Sequence, residues 1–214
     1  MKNFNPLLYF ITDSSSFSEE EFLTRVEEAL QGGVTLLQLR EKDKTTREYI
    51  SLAKKVHTIS EKYAVPLIID DRIDVALATG AEGVHLGQSD MPIDIARKIL
   101  GENFIIGATA KTVEQATEAY TQGADYLGVG AIYPTTTKVK TVLTSTDTLS
   151  EICSAVPIPV NAIGGLNKDN IGILEGINIS GVCVVSAIMK AHSPKYAAQE
   201  LKNTVQKLFG GIYE

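Results

Sequence analysis

The chain has few of the residues that mark secreted, membrane-bound or disulfide-stabilised proteins. Of its 214 residues none is tryptophan, two are cysteine and 7% are aromatic. No apolar run reaches the roughly 18 residues that a transmembrane helix needs, and the first residues do not resemble a signal peptide. Cys153 and Cys183 belong to no Cys-x-x-Cys pair, which favours buried thiols of a reducing compartment. We therefore expect a cytoplasmic protein.

The net charge limits the partners that the protein can have. Twenty basic and 26 acidic side chains give −6 at pH 7, and an acidic surface repels nucleic acid and anionic membranes. We expect neither as a partner. Any phosphate must then be held by donors placed locally. The oligomeric state cannot be read from the sequence, and a homo-oligomer stays open.

Short apolar runs rich in β-branched residues alternate with amphipathic stretches along the whole chain, of which 44% is hydrophobic. Strands that alternate with helices indicate a parallel sheet. The candidate strands are Leu7–Thr12, Thr35–Arg40, Leu67–Asp70, Gly83–Leu86, Phe104–Ala108, Tyr126–Gly130, Val160–Gly164 and Gly181–Ser186. The candidate helices are Glu19–Gln31, Asp70–Gly80, Pro92–Leu100, Thr112–Gln122, Asn167–Glu175 and Lys195–Phe209.

Eight strand–helix units in this length predict an α/β fold of the (β/α)₈ TIM-barrel type, with residues 1–214 as a single domain. The alternative is an open Rossmann-like sheet. It is weakened because the first turn, Ile11–Ser15, carries no Gly-x-Gly-x-x-Gly. The longest irregular connection is Thr135–Thr148. A barrel collects its functional residues in such loops and at the C-terminal ends of its strands.

The second strand ends in two cations and an amide. Alternation along a strand places Gln38, Arg40 and Lys42 on the same side. Arginine can hold a phosphate through two hydrogen bonds, and lysine supplies a compact charge. The pattern therefore favours phosphate binding. The alternative is a structural ion pair with Glu41 or Asp43.

Carboxylates follow the third and fourth strands. Asp71 and Asp90 stand at neighbouring strand ends, and Mg²⁺ needs few protein oxygens because water and substrate phosphate complete its shell. The two residues are candidate Mg²⁺ ligands. The alternatives are that Asp90 caps the helix near Pro92 and that Asp70 pairs with Arg72.

Hydroxyls and glycines follow the remaining strands. Thr109 could contact a phosphate or a ring nitrogen, or it could only precede the helix that starts at Thr112. Glycine amides and a serine at helix N-termini after strands 7 and 8 predict a second anion site. Among three histidines no Ser–His–Asp set appears. The residues of the second site are Gly165, Val185 and Ser186, with the hydroxyls of Thr135, Thr136 and Thr137 in the loop after strand 6. Lys138, at the end of the same run, joins Gln38, Arg40 and Lys42 in the first site.

Six ordered motifs across nearly the whole chain resemble the thiamine-phosphate synthase family, also called thiamine-phosphate pyrophosphorylases. They are Gln38-Leu39-Arg40-Glu41-Lys42, Asp70-Asp71-Arg72, Gly83-Val84-His85-Leu86-Gly87-Gln88-Ser89-Asp90, Tyr133-Pro134-Thr135-Thr136-Thr137-Lys138, Ala162-Ile163-Gly164-Gly165 and Val184-Val185-Ser186-Ala187-Ile188.

The resemblance implies a reaction in which hydroxymethylpyrimidine diphosphate and a thiazole phosphate give thiamine phosphate and pyrophosphate with Mg²⁺. It implies a dissociative route through a pyrimidine cation, with Arg40, Lys42 and Lys138 as catalytic residues and Asp71 and Asp90 as metal ligands. The pyrimidine diphosphate would be bound by Gln38, Leu39, Arg40, Glu41, Lys42, Asp70, Thr109 and Lys138. The thiazole phosphate would be bound by Thr135, Thr136, Thr137, Gly165, Val185 and Ser186.

The chain departs from the family pattern at three positions. Asp70 replaces the usual asparagine, Thr109 the usual serine and Lys111 a common histidine. The pattern also resembles a sister group, the thiazole tautomerases, which are isomerases that use a histidine in this loop. Lys111 at that position favours the synthase. A barrel that binds phosphorylated ligands without catalysis is the other alternative.

Overall fold

A computed structural model describes residues 4–135 and 142–209 as a closed barrel of eight parallel strands in sequence order. All eight predicted strands are confirmed to within two residues at each end, and the open-sheet alternative is excluded. Thr136, Thr137 and Lys138 lie outside the described residues. The strands are β1 (Leu8–Ile11), β2 (Leu36–Leu39), β3 (Leu67–Asp70), β4 (Gly83–Leu86), β5 (Ile105–Ala110), β6 (Tyr126–Gly130), β7 (Val160–Ile163) and β8 (Gly181–Val184).

Helices surround the barrel. They are α1 (Glu19–Gln31), α2 (Thr46–Lys62), α3 (Ile73–Thr79), α4 (Ile93–Leu100), α5 (Val113–Thr121), α6 (Thr146–Ala155), α7 (Ser186–Met189) and α8 (Pro194–Phe209). Helices α2 and α6 were absent from the predicted set. A capping box formed by Thr45 and Glu48 starts α2, and the Ser145 side chain caps α6. The connection predicted over Thr135–Thr148 therefore ends before Thr146.

The predicted helix Asn167–Glu175 is wrong. The described segment contains only a four-residue 3₁₀ helix, Ile171–Leu174. Asparagine side chains stabilise turns instead: Asn170 Oδ1 accepts from the Asn167 N–H at 2.8 Å, and Asn167 Oδ1 accepts from the Asp169 N–H at 2.9 Å. Asparagine competes with helical hydrogen bonding in this way, and the apolar spacing alone did not reveal it.

Side chains alternate between two apolar layers along each strand. Outward residues such as Leu37 and Ile69 pack under the helices. Inward residues such as Leu36, Ile68 and Cys183 fill the barrel interior. Both cysteines are free and buried, as predicted. No helix in the described ranges has the length and hydropathy to cross a membrane.

A guanidinium ties together the N-terminal ends of β5 and β6, opposite the predicted site. Arg97 donates to the carbonyls of Gly101 and Phe104, each at 2.8 Å, and to that of Gly123 at 2.8 Å. It also pairs with Asp125 Oδ2 at 2.6 Å, and the two side chains are 12% and 20% exposed. The half-buried guanidinium of Arg97 therefore has a partner for several of its N–H groups, and it stabilises the N-terminal end of the barrel at β5 and β6.

Candidate active site

A cavity of about 620 Å³ opens at the C-terminal ends of the strands. This is the end at which TIM-barrel enzymes place their active sites. The cavity brings together most of the predicted site residues, which come from distant parts of the sequence. Those that line it are Gln38, Arg40, Lys42, Asp70, Asp71, Asp90, Thr109, Thr135, Gly165, Val185 and Ser186.

Two predicted site residues point away from the cavity. Leu39 packs in the outer apolar layer, where its carbonyl accepts the Tyr49 hydroxyl at 2.7 Å. The Glu41 carboxylate accepts from Ser14 Oγ at 2.8 Å and lies 3.6 Å from Lys44 Nζ. Burial raises the pKa of Glu41 despite these two neighbours. Contact between these two residues and a ligand is thus restricted to their main-chain atoms.

The cations that follow β2 meet the carboxylates at the end of β3. Lys42 Nζ lies 2.9 Å from Asp70 Oδ2 and also contacts Asp71 Oδ2. Arg40 Nε lies 3.7 Å from Asp70 Oδ2. Glu41 and Asp43 are thus not the ion-pair partners of these cations. Arg72 pairs with Asp74 instead of Asp70: its Nε donates to Asp74 Oδ1 at 2.8 Å and its Nη2 to Asp74 Oδ2 at 2.5 Å.

The pKa shifts of this cluster follow from burial and charge. Burial, followed by the adjacent Asp71, raises the pKa of Asp70 against the opposing effect of Lys42 and Arg40. Burial disfavours the charged form of Lys42, but Asp70 and Asp71 outweigh it and raise the lysine pKa. Lys42 therefore stays an ammonium group within reach of an incoming phosphate.

Asp71 and Asp90 form the carboxylate pair proposed for a metal. Asp71 has a left-handed backbone, with φ 61°, and its N–H donates to the His85 carbonyl at 2.9 Å. Asp90 Oδ2 accepts from the Gly87 N–H at 2.7 Å. Helix α4 begins after Pro92 without a side-chain cap, so the capping role considered for Asp90 is wrong.

The donor set suits a hard cation with few protein ligands. Burial would raise the pKa of Asp71, yet hydrogen bonds from Lys42 and Asp90 lower it, while burial and Asp71 raise the pKa of Asp90. The two carboxylates therefore share one small region. Within residues 4–135 and 142–209 no three His, Cys, Asp or Glu side chains converge as a metal cage. Two carboxylates fit Mg²⁺, whose remaining ligands are water and phosphate oxygens.

A chain of hydrogen bonds forms the floor of the cavity. Gln38 Nε2 lies 2.6 Å from the Tyr9 hydroxyl, which lies 2.7 Å from the Tyr126 hydroxyl. Tyr126 reaches His85 Nδ1 at 3.1 Å, and His85 Nε2 lies 3.0 Å from Thr109 Oγ1. Thr109 is thus part of the cavity wall, whereas the cap of α5 is Thr112.

The position of Tyr126 depends on a glycine in the neighbouring strand. A Cβ atom on Gly107 would lie 2.1 Å from Tyr126 Cζ and 2.3 Å from its hydroxyl oxygen. Only a residue without a side chain leaves room for the tyrosine ring to enter the barrel there. Tyr9, His85 and Tyr126 were not among the residues predicted for the site. Their inward positions in the strands were the available signal.

Glycines and hydroxyls line the opposite side of the cavity. Gly164 and Gly165 have left-handed φ angles of 106° and 64°, and a Cβ on Gly165 would lie 2.8 Å from the Pro134 carbonyl oxygen. Ser186 opens the short helix α7. Gly165 precedes irregular chain rather than a helix, so the predicted helix N-terminus after β7 is wrong, and the main-chain amides there would act without one.

The family assignment follows from comparison with known proteins. Residues 8–188 match the family model for thiamine monophosphate synthase. This chain belongs to that family. It is 48% identical over 200 residues to a thiamine-phosphate synthase of Clostridium tetani, covering 94% of this chain and 96% of the relative. It is 53% identical over 184 residues to thiamine-phosphate synthase 2 of Streptococcus pneumoniae, covering 86% and 88%.

Solved structures agree with the assignment. Thiamine phosphate pyrophosphorylase from Pyrococcus furiosus superposes with a TM-score of 0.87 at 40% identity, over 94% of this chain and 96% of that one. A 3-hexulose-6-phosphate synthase superposes with a TM-score of 0.71 at 16% identity, over 92% and 99% of the chains, and shares the fold alone. The family and the TIM barrel predicted from the sequence are thus confirmed, and the family is one of transferases.

Proposed function

We propose that the cavity joins hydroxymethylpyrimidine diphosphate to a thiazole phosphate, giving thiamine phosphate and pyrophosphate. The observation that carries this proposal is the convergence of Arg40 and Lys42 with the carboxylates of Asp71 and Asp90 in one cavity. A leaving diphosphate needs both kinds of group: cations that hold its oxygens and carboxylates that hold a metal. The chemistry fits the family to which the chain belongs.

The diphosphate end of the first substrate binds beside β2 and β3. Arg40 and Lys42 donate to its oxygens, and Lys42 exchanges part of its contact with Asp70 and Asp71 for the phosphate. Asp71 and Asp90 would hold Mg²⁺. When bound, the ion supplies positive charge that neutralises the leaving pyrophosphate.

Bond breaking needs no side-chain nucleophile. The bond between the pyrimidine methylene carbon and the diphosphate oxygen breaks, and its electron pair leaves with pyrophosphate. The thiazole nitrogen then shares its lone pair with the methylene carbon of the pyrimidine cation, and the new C–N bond makes thiamine phosphate. Arg40 and Lys42 stabilise the charge that develops on the leaving group, so catalysis is positioning plus electrostatics.

The thiazole phosphate is assigned to the other side of the cavity. Thr135, Gly165, Val185 and Ser186 line that side and offer hydroxyl and main-chain donors. The contributions of Thr136, Thr137 and Lys138 remain predictions, because these residues lie outside the described ranges. The two free, buried thiols are consistent with a reducing cytoplasm.

The test is pyrophosphate release from the two substrates, with Mg²⁺ and with excess EDTA. We expect release that requires both substrates and the metal, with thiamine phosphate formed in equal amount. No release from folded protein would reject the proposal. Rearrangement of a thiazole phosphate without pyrophosphate release would instead identify the tautomerase alternative.

A further inference from the structure

The hydrogen bonds on the cavity floor form one unbroken relay from β2 to β5. It runs through Gln38, Tyr9, Tyr126, His85 and Thr109, with successive distances of 2.6, 2.7, 3.1 and 3.0 Å. Both tyrosines are fully buried, so each hydroxyl needs a partner inside the protein. The relay joins side chains from five strands, and its two ends lie on the cavity wall.

The chemistry of the donors and acceptors favours one direction for the relay. An amide nitrogen can only donate, so Gln38 Nε2 gives a hydrogen to the Tyr9 oxygen. Tyr9 then donates to Tyr126, and Tyr126 donates to His85 Nδ1. With Nδ1 as the acceptor, a neutral histidine carries its hydrogen on Nε2 and donates it to Thr109 Oγ1.

The opposite direction is disfavoured by the Tyr9 hydroxyl. If Tyr126 donated to Tyr9, the Tyr9 oxygen would accept two hydrogen bonds. Its own hydrogen would then have no acceptor among residues 4–135 and 142–209. An unsatisfied buried donor of this kind is costly. In the favoured direction the hydroxyl hydrogens of Tyr9 and Tyr126 and the Nε2 hydrogen of His85 are each used once.

The direction sets what each end offers to a ligand. Gln38 uses its NH₂ group inside the relay, so its Oε1 atom faces the cavity as an acceptor. Thr109 accepts from His85, so its hydroxyl hydrogen is available for donation to the cavity. The floor therefore presents an acceptor on the β2 side and a donor on the β5 side.

We propose that Tyr9, Tyr126 and His85 are positioning residues that make the cavity select a ring with an exocyclic amine and an unprotonated ring nitrogen. Gln38 Oε1 accepts the amine hydrogen, and the Thr109 hydroxyl donates to the ring nitrogen. This inference rests on the proposed function, whose first substrate is an aminopyrimidine. It adds the origin of selectivity against the corresponding oxo-pyrimidine, whose carbonyl oxygen would face Gln38 Oε1, acceptor against acceptor.

The experiment is calorimetric titration with two diphosphates, hydroxymethylpyrimidine diphosphate and its 4-oxo analogue. Mg²⁺ is present, and thiazole phosphate is omitted so that no carbon–nitrogen bond forms. The measured quantity is the ratio of the two dissociation constants. For the unaltered protein we expect the amino compound to bind roughly 10- to 100-fold more tightly, which is the effect of one mismatched buried hydrogen bond.

Two variants break the relay at different points. In Tyr126→Phe the Tyr9 hydroxyl loses its acceptor, so the Gln38 amide rotates to accept from Tyr9 and turns its NH₂ group to the cavity. The ratio should fall to about one or reverse. In Tyr9→Phe the amide loses its anchor and can adopt either orientation, so the preference should shrink by about tenfold without reversing.

Tyr49→Phe is the matched control. Tyr49 is a buried tyrosine whose hydroxyl donates to the Leu39 carbonyl, outside the relay. Its removal deletes the same chemical group and should leave the ratio unchanged. If Tyr126→Phe does not fold, Tyr9→Phe still tests the inference.

The outcomes separate the inference from the proposed function. Equal affinity of the unaltered protein for the two diphosphates, or a ratio unchanged in the folded tyrosine variants, overturns the relay while thiamine phosphate formation still stands. Absence of binding by both diphosphates and of thiamine phosphate formation overturns the proposed function, and the inference with it.

Discussion

The ammonium group of Lys42 lies between two carboxylates, 2.9 Å from Asp70 and in contact with Asp71. Only Asp71 belongs to the proposed metal pair. Asp70 stands where the family usually has a neutral asparagine, so this chain carries an additional negative charge beside the site of the diphosphate. If Lys42 binds the diphosphate as proposed, Asp70 competes with the substrate for its ammonium group.

Asp70→Asn should bind the pyrimidine diphosphate more tightly. Lys42 would be released from one carboxylate, and a repulsive charge would be removed, so we expect KM to fall about three- to tenfold. Steady-state kinetics at saturating Mg²⁺ measures this. Asp74→Asn is the control, since Asp74 is exposed and pairs with Arg72. A higher KM in Asp70→Asn would show that Asp70 itself contacts the substrate.

Removing one carboxylate of the proposed metal pair should weaken metal binding. For Asp90→Asn we expect the Mg²⁺ concentration at half-maximal rate to rise at least about tenfold, because Mg²⁺ would keep only one charged protein ligand. Titration of Mn²⁺ followed by electron paramagnetic resonance gives the affinity independently of turnover. Asp94→Asn, which changes a carboxylate on α4 that pairs with Lys98, should behave as the unaltered protein. Equal affinities in both variants would remove Asp90 from the site.

Loss of the Arg97 guanidinium should destabilise the barrel without altering the cavity. Arg97→Ala removes the guanidinium hydrogen bonds to three carbonyls and the ion pair with Asp125, which keeps the hydrogen bond from the Ile106 N–H. We expect a loss of about 2–4 kcal/mol and a melting temperature lower by roughly 4–16 °C. Lys98→Ala removes an exposed i,i+4 pair and should cost less than about 0.5 kcal/mol. Similar melting temperatures for the two variants would contradict this role of Arg97.

The thiols of the folded protein should resist alkylation. Burial raises the pKa of Cys153 to about 11, and that of the fully buried Cys183 is also raised well above its ordinary value. At pH 8 roughly one Cys153 in a thousand is then a thiolate, the reactive form. Iodoacetamide labelling followed by mass spectrometry should be slow for both residues until the protein is denatured. Rapid labelling of native Cys153 at pH 8 would show that the thiol is exposed.

Much of the site could be predicted because a TIM barrel puts local sequence features at one end. Gln38, Arg40 and Lys42 alternate onto the cavity side of β2, and Asp71 and Asp90 follow adjacent strands. These are short-range patterns that the fold turns into proximity. The same alternation turns the Glu41 side chain away from the cavity, toward Ser14 in the loop between β1 and α1. Only the resemblance placed Glu41 in the site, and that assignment stays a prediction.

The relay could not be predicted from local patterns. Tyr9 and Tyr126 are 117 residues apart in sequence, and their hydroxyls meet only because the barrel closes. Their contact also needs the missing side chain at Gly107. A buried tyrosine near the start of a strand is otherwise indistinguishable from ordinary core. The helix predicted after Gly165 was wrong for a related reason. Hydrogen bonds of asparagine side chains determine the turn there, and the spacing of apolar residues does not show them.

The left-handed backbone of Asp71 has a consequence for how the sequence at this position should evolve. A non-glycine residue with φ 61° is held at some cost in folding free energy, of order 1 kcal/mol or more. Glycine would adopt that conformation freely, so pressure for robustness alone would replace the aspartate. If Asp71 holds the metal as proposed, a descendant barrel freed from metal chemistry should drift toward glycine at position 71.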